Sequence, residues 1–171
     1  MREVFESKLF VGCQADYEGG EDFGLDENGY TDKWAFVLAA KEPWHRRAVG
    51  YTGRACDKTH PEYLIAKRDN KLVLNLVDAP KPEFFDKQII DVALDFIDEQ
   101  LNARKKVLIC CNQGESRSPS IALLYIVSRG LKLSDVTLEQ CEAELRKTYP
   151  MYNPSAGIRG FMKQRWNEYC K

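Results

Sequence analysis

The sequence lacks the features by which small stapled or metal-bound proteins hold together. It contains six cysteines but no Cys-x-x-Cys pair, and a chain of 171 residues can bury a core without disulfides. Only two histidines, His45 and His60, are present, so no zinc-binding pattern can be assembled. We therefore expect reduced thiols, no metal site and no cofactor.

Long apolar segments and an excess of charge are also missing. The longest apolar run, residues 121–127, is far shorter than the roughly 20 residues that span a membrane. The first ten residues carry four charges where a secretory signal would be apolar. The net charge of −1 gives no general attraction to nucleic acid or anionic membranes. These observations predict one cytoplasmic domain over residues 1–171, with neither nucleic acid nor membrane as partner.

What the sequence does contain is an alternation of strand and helix signals. Short apolar runs predict strands at residues 8–13, 34–40, 71–77 and 107–110. Pro61 suits an early position of a short helix at residues 61–68. Apolar residues recurring at three and four positions predict a helix at residues 85–101. Further helices are predicted through residues 121–126 to a C-cap at Gly130, from Ser134 or Asp135 to Thr148, and at residues 154–169. The pattern indicates an α/β fold, with a central mixed sheet of about four to five strands flanked by helices.

Two loops between these elements have distinctive compositions. Residues 18–30 are acidic and rich in glycine, but the ligand positions of a calcium loop do not align, so we predict a solvated turn with a tight bend at Asn28 and Gly29. Residues 41–58 carry five basic and two acidic side chains. This basic stretch is either a solvated loop or a rim that attracts an anionic substrate.

The segment with the strongest chemical signal joins the strand at residues 107–110 to the following helix. Such a junction directs backbone N–H groups and the positive end of the helix dipole at one point. Gly114 allows the loop to curl tightly around that point, and Arg117 adds a planar fork that can hold two phosphate oxygens. We therefore predict an anion-binding loop over residues 111–117, called the Cys111 loop below.

Cys111 occupies the first position of that loop. The helix dipole and Arg117 both favour its thiolate form, and a thiolate beneath a bound phosphate is placed for in-line attack on phosphorus. Ser118 follows Arg117, and its hydroxyl is expected to donate to the sulfur when the sulfur becomes the leaving group.

A general acid is needed on the opposite side of the phosphate, because an alkoxide is a poor leaving group. Asp78 begins a proline-rich loop directly after a predicted strand. If that strand lies beside the strand before Cys111, both carboxyl ends open onto one edge of the sheet. The alternative interpretation is that Asp78 only initiates the turn before Pro80.

The spacing of Cys111, five residues, Arg117 and Ser118 resembles the signature of the protein tyrosine phosphatase superfamily. A glycine at the position of Gly114 is similar to the dual-specificity branch of that superfamily. The resemblance extends over about residues 72–161 and implies a fold with a phosphate loop between a strand and a helix. It also implies that Cys111 is the nucleophile, Asp78 the general acid, and Ser118 the residue assisting thiolate departure. The implied phosphate-binding residues are Asn112, Gln113, Gly114, Glu115, Ser116 and Arg117.

One position departs from the family pattern, since Cys110 stands where the family usually has histidine. The departure leaves a phosphate-binding pseudophosphatase as an alternative to a phosphatase, and a rhodanese-like or arsenate-reducing thiol enzyme as a third possibility. Glu115, together with the absence of lysine inside the loop, favours phosphotyrosine in a phosphorylated protein, with or without phosphoserine and phosphothreonine. Inositol lipids and RNA 5′-triphosphate are disfavoured.

Overall fold

A computed structural model describes residues 1–5, 8–20, 23–129 and 136–170. Its centre is a six-stranded mixed sheet in the order β1-β2-β6-β3-β5-β4. The strands are β1 (Arg2–Phe5), β2 (Leu9–Gly12), β3 (Trp34–Leu38), β4 (Ile65–Arg68), β5 (Lys71–Leu74) and β6 (Lys106–Cys110). The four inner strands are parallel to one another, and both edge strands pair antiparallel to their neighbours. The carboxyl ends of the inner strands therefore meet at one edge of the sheet.

Five α-helices accompany the sheet within the described residues: α1 (Arg46–Val49), α2 (Lys87–Asn102), α3 (Arg117–Ser128), α4 (Leu138–Thr148) and α5 (Ala156–Tyr169). The side chain of Asp86 caps α2 by accepting from Gln88 N, and Thr137 and Gln140 form a capping box at the start of α4. Both caps satisfy N–H groups that the first helical turn leaves unpaired.

The sheet is covered on both faces, which explains why β6 reads as an uninterrupted apolar run. Val107, Ile109 and Cys111 belong to the larger core, which the sheet shares with α2, α3, α4 and α5. Leu108 and Cys110 belong to a smaller core on the other face, with Trp44 and neighbouring aromatic side chains. Successive side chains of β6 thus alternate between two apolar cores, and the side chains of Cys110 and Cys111 lie on opposite faces of the sheet.

The predicted α/β architecture is confirmed, with differences at the edges of the sheet. The sheet has six strands, where about four to five were predicted. The predicted helix at residues 61–68 is wrong, because residues 65–68 form β4, which pairs with β5 across the turn at Asp69 and Asn70. The strand predicted over residues 8–13 is internal, since β1 covers its outer edge. Gly130, Ser134 and Asp135 lie outside the described residues.

Three further findings bear on the exclusions drawn from the sequence. All six cysteines are free thiols. Within the described ranges, no helix is long and apolar enough to cross a membrane. No group of three or more potential metal ligands occurs in that part of the chain either.

Candidate active site

The Cys111 loop connects β6 to α3 at the carboxyl edge of the sheet, as predicted. Cys111 is buried, and its Sγ lies 3.2 Å from the Oγ of Ser118 in the first turn of α3. Ser118 Oγ also donates to the carbonyl oxygen of Gly12 at the end of β2, over 3.1 Å. The hydroxyl carries one proton, so it accepts from a neutral thiol while it donates to Gly12, and it can turn to donate to a thiolate.

Gly114 makes the tight curl of the loop possible. Its φ of +77° lies in the left-handed region that glycine adopts without strain. A Cβ at this position would lie 3.1 Å from both the backbone of Gly12 and the hydroxyl of Tyr149. The loop therefore needs glycine here both for its backbone conformation and for the close approach of β2.

Arg117 is held at the bottom of the site by neutral acceptors. Its side chain is buried, and Nη1 donates to the carbonyl oxygens of Ala39 and Leu76 over 3.1 and 2.9 Å. Nη2 donates to Oδ1 of Asn112 over 2.7 Å. Nε is buried without a hydrogen-bond partner among the described residues. A buried guanidinium N–H that lacks a partner is costly, and an anion bound in the loop would satisfy it.

Asp78 is attached to the Cys111 loop by two hydroxyl groups. Its Oδ1 accepts from Ser116 Oγ over 3.0 Å and from Ser155 Oγ over 2.6 Å. Ser116 Oγ in turn accepts from the backbone N–H of Ser155 over 3.0 Å. Asp78 and Cys111 line the same cavity, of about 270 Å3. The structure thus brings together two residues that are 33 positions apart in the sequence.

Ser155 and Tyr149 contact Asp78 and the Cys111 loop, respectively, and neither contact was predicted from the sequence. Tyr149 donates from its hydroxyl to the Gly114 carbonyl over 2.9 Å, and burial, followed by the nearby Cys111, raises the pKa of Tyr149 to about 12. Asn153 N donates to the Glu115 carbonyl over 2.8 Å. The segment between α4 and α5 therefore braces the loop from outside.

The remaining loop residues have different surroundings. Asn112 accepts from Arg117 and donates through Nδ2 to the Glu42 carbonyl over 2.8 Å, which ties the loop to the segment after β3. Gln113 is exposed at the rim, and the side chain of Glu115 is half-buried. Of the predicted phosphate-binding residues, Asn112, Gln113, Ser116 and Arg117 line the cavity with Cys111.

Cys110 has the surroundings of an inert core thiol. It is fully buried in the smaller core, and burial, reinforced by Asp16, raises its pKa well above the ordinary value. The thiol therefore stays neutral on the face of the sheet away from Cys111.

Two of the five basic side chains in the basic stretch are paired with carboxylates. Arg46 pairs with Glu42, and Arg47 pairs with Glu18 over 3.1 Å. Lys41 donates to the Arg54 carbonyl and lines a cleft that also contains Asp78. Lys41 is therefore a residue of this stretch that reaches the neighbourhood of the site.

The assembled site is a buried thiol at the start of the tightly curled Cys111 loop, a guanidinium with an unpartnered N–H, and a carboxyl group lining the same cavity. A family model described as the Rit1 DUSP-like domain matches residues 71–149, which run from β5 to the end of α4. No curated protein matches the sequence.

Solved structures match over nearly the whole chain. The human tyrosine phosphatase-like serine/threonine/tyrosine-interacting protein has a TM-score of 0.68 and 18% identity, over 99% of this chain and 97% of that one. DUSP15 has a TM-score of 0.68 and 16% identity, over 99% and 89% of the two chains. Human DUSP28 has a TM-score of 0.65 and 16% identity, over 98% and 96%. The chain has the fold of the protein tyrosine phosphatase superfamily, of the dual-specificity type.

Proposed function

We propose that the protein is a cysteine-dependent phosphatase that hydrolyses phosphotyrosine, with or without phosphoserine and phosphothreonine, in phosphorylated proteins. The observation that carries the proposal is the attachment of Asp78 to the Cys111 loop through Ser116 and Ser155. A protein that only binds phosphate, or a sulfurtransferase, has no need of a carboxyl group above the nucleophile. A phosphatase needs one, to protonate the leaving oxygen.

The first step forms a phosphocysteine. The thiolate of Cys111 attacks phosphorus while Arg117 and the loop N–H groups bind the equatorial oxygens, so the S–P bond forms as the P–O bond to the substrate breaks. Asp78 gives its proton to the departing oxygen. The positive charge of Arg117 stabilises both the thiolate and the transferring phosphoryl group.

The second step releases phosphate. Asp78, now ionised, takes a proton from water as the water oxygen attacks phosphorus, and the electrons of the S–P bond return to Cys111. Ser118, whose Oγ is 3.2 Å from the sulfur, donates its proton toward the forming thiolate. The cycle needs no metal, because Arg117, the loop amides and the helix dipole supply the positive charge.

The test is hydrolysis of an aryl phosphate with EDTA present. Wild type is expected to be active, Cys111→Ser to be inactive, and Asp78→Asn to lose about 10²–10⁴-fold in kcat on a substrate with a poor leaving group. Inactive wild type contradicts the proposal, and activity that survives Cys111→Ser contradicts the nucleophile assignment.

One observation favours phosphate recognition with little turnover as the second candidate. Asp78 Oδ1 is already engaged by two hydroxyl groups of the protein, and the first solved structure above is described as phosphatase-like. Micromolar binding of a phosphotyrosine peptide by wild type, without release of phosphate, would support this candidate.

A further inference from the structure

A second cavity opens beside the phosphate-sized one and shares Asp78 with it. This cleft has a volume of about 660 Å3 and lies between the segment after β5 and the start of α2. A substrate whose phosphate enters the Cys111 loop therefore has its neighbouring groups at the mouth of this cleft. It is called the Phe84 cleft below.

One wall of the Phe84 cleft is apolar and open to solvent. Phe84 is 67% exposed and Val77 is 54% exposed, which makes them two of the most exposed large apolar side chains in the described part of the chain. Leu64 and Tyr63, both half-buried, also line the cleft. Exposed apolar groups next to a reactive site mark a surface that a ligand covers.

The charged side chains at this cleft are mostly acidic. Glu83, Asp86 and Asp78 contribute three carboxylates, against the single ammonium group of Lys41. Glu83 and Asp86 are exposed, and Lys41 Nζ is already bonded to the Arg54 carbonyl. Such a surface repels RNA and other polyanions and attracts a segment that carries positive charge.

We infer that the Phe84 cleft binds the residues flanking the phosphorylated tyrosine of a protein substrate, with an apolar side chain against Phe84 and Val77 and a lysine or arginine beside Glu83. This specificity rests on the proposed phosphatase activity. The substrate class is then a phosphoprotein segment that carries an apolar and a basic side chain next to the phosphate.

The experiment compares four phosphotyrosine peptides of equal length at low salt, with Leu or Ser as the apolar-site residue and Arg or Glu as the charged-site residue. For each enzyme, kcat/KM is divided by that for a small aryl phosphate, which does not reach the cleft. Wild type is expected to prefer the Leu-Arg peptide over the Ser-Glu peptide by about tenfold, as expected for one partly buried apolar side chain and one exposed ion pair.

Two variants test which side chains of the Phe84 cleft produce the peptide selectivity. Glu83→Lys is expected to reverse the preference between Arg and Glu peptides, and Phe84→Ser to remove the preference for Leu. Glu27→Lys makes the same charge change at an exposed site in the loop before β3, and is expected to leave the ratios as in wild type.

Different failures have different meanings. If wild type does not hydrolyse the aryl phosphate, the proposed function fails. If it does, but the four peptides react at equal normalised rates, only the inference about the cleft is overturned. Faster hydrolysis of a 5′-phosphorylated oligonucleotide than of every peptide also overturns it. If the peptide preferences of both Glu83→Lys and Phe84→Ser equal those of wild type, the inference is also overturned, because the selectivity then does not come from this cleft.

Discussion

The contact between the start of α5 and the backbone after Asp78 is so close that it admits only glycine. A Cβ built at Gly157 would lie 2.0 Å from the carbonyl oxygen of Ala79 and 2.8 Å from Cε2 of Phe85. Contacts of this kind below 3.0 Å are essentially never observed. In Gly157→Ala, the Ala79 carbonyl must therefore withdraw by about 1 Å, because a backbone atom cannot rotate away as a side chain can.

That displacement acts on Asp78, the residue before Ala79. A misplacement of about 1 Å can cost about 10²-fold in rate. The loss should depend on the leaving group, since a good leaving group needs no proton from Asp78. We therefore expect kcat/KM, which reports only the step that forms the phosphocysteine, to fall about 10²-fold for a phenyl phosphate in Gly157→Ala. For an activated aryl phosphate it should fall less than about threefold, because Arg117 is held by contacts that do not involve Ala79.

The assay is the slope of log(kcat/KM) against leaving-group pKa for a series of aryl phosphates. Gly160→Ala is the matched control, since it makes the same change in α5 with the nearest contact at 3.3 Å, to Cγ of Pro82. Thermal unfolding of both variants separates loss of fold from loss of position. If Gly157→Ala is folded and keeps the wild-type slope, the packing of α5 does not position Asp78 and the reasoning fails.

Three further predictions use other contacts of the molecule. Ser155→Ala removes one of two hydroxyl hydrogen bonds to Asp78 and should steepen the same slope, and Ser155→Thr should restore it. An unchanged slope and pH profile would mean that Ser155 does not position Asp78. Arg159→Ala leaves the buried carboxylate of Glu142 without its ion-pair partner and should cost about 2–4 kcal/mol in urea unfolding; a loss under 1 kcal/mol contradicts this. Burial lowers the pKa of His45, so the unfolded chain takes up its proton first as the pH falls. Stability should therefore decrease below about pH 6.5, by at most about 1.4 kcal/mol per pH unit, and this part of the decrease should be absent in His45→Gln.

The position and geometry of the Cys111 loop could be predicted from the sequence because its determinants are contiguous. A buried strand, a glycine and a helix start follow one another within residues 106–118, and each has a local signal. The position of Asp78 followed from the parallel order of the inner strands. Ser155 was out of reach, because nothing local to it or to Asp78 indicates that α5 packs against the Asp78 segment.

The edges of the sheet were mispredicted for a different reason. β4 is only four residues long, with two exposed residues, and its extended form is stabilised mainly by pairing with β5. A proline at residue 61 and a mixed composition suggested a helix. Local propensity contains no information about the partner strand or the turn at residues 69–70. β1 is similarly short and half exposed. Edge strands depend on neighbours distant in sequence, and local patterns describe them poorly.

The way in which Arg117 is anchored would let a chain of net charge −1 hold a phosphate dianion. Arg159 differs from Arg117 in its partner. Its charge is cancelled by the buried carboxylate of Glu142, 2.8 Å away. Arg117 is positioned by two backbone carbonyls and an amide oxygen, which fix the guanidinium without neutralising it. Because its nearest acceptors are dipoles, its full charge remains available to the thiolate and the phosphate at low dielectric. An acidic residue in place of Asn112 would hold Arg117 equally well but would cancel the field that makes the site bind anions.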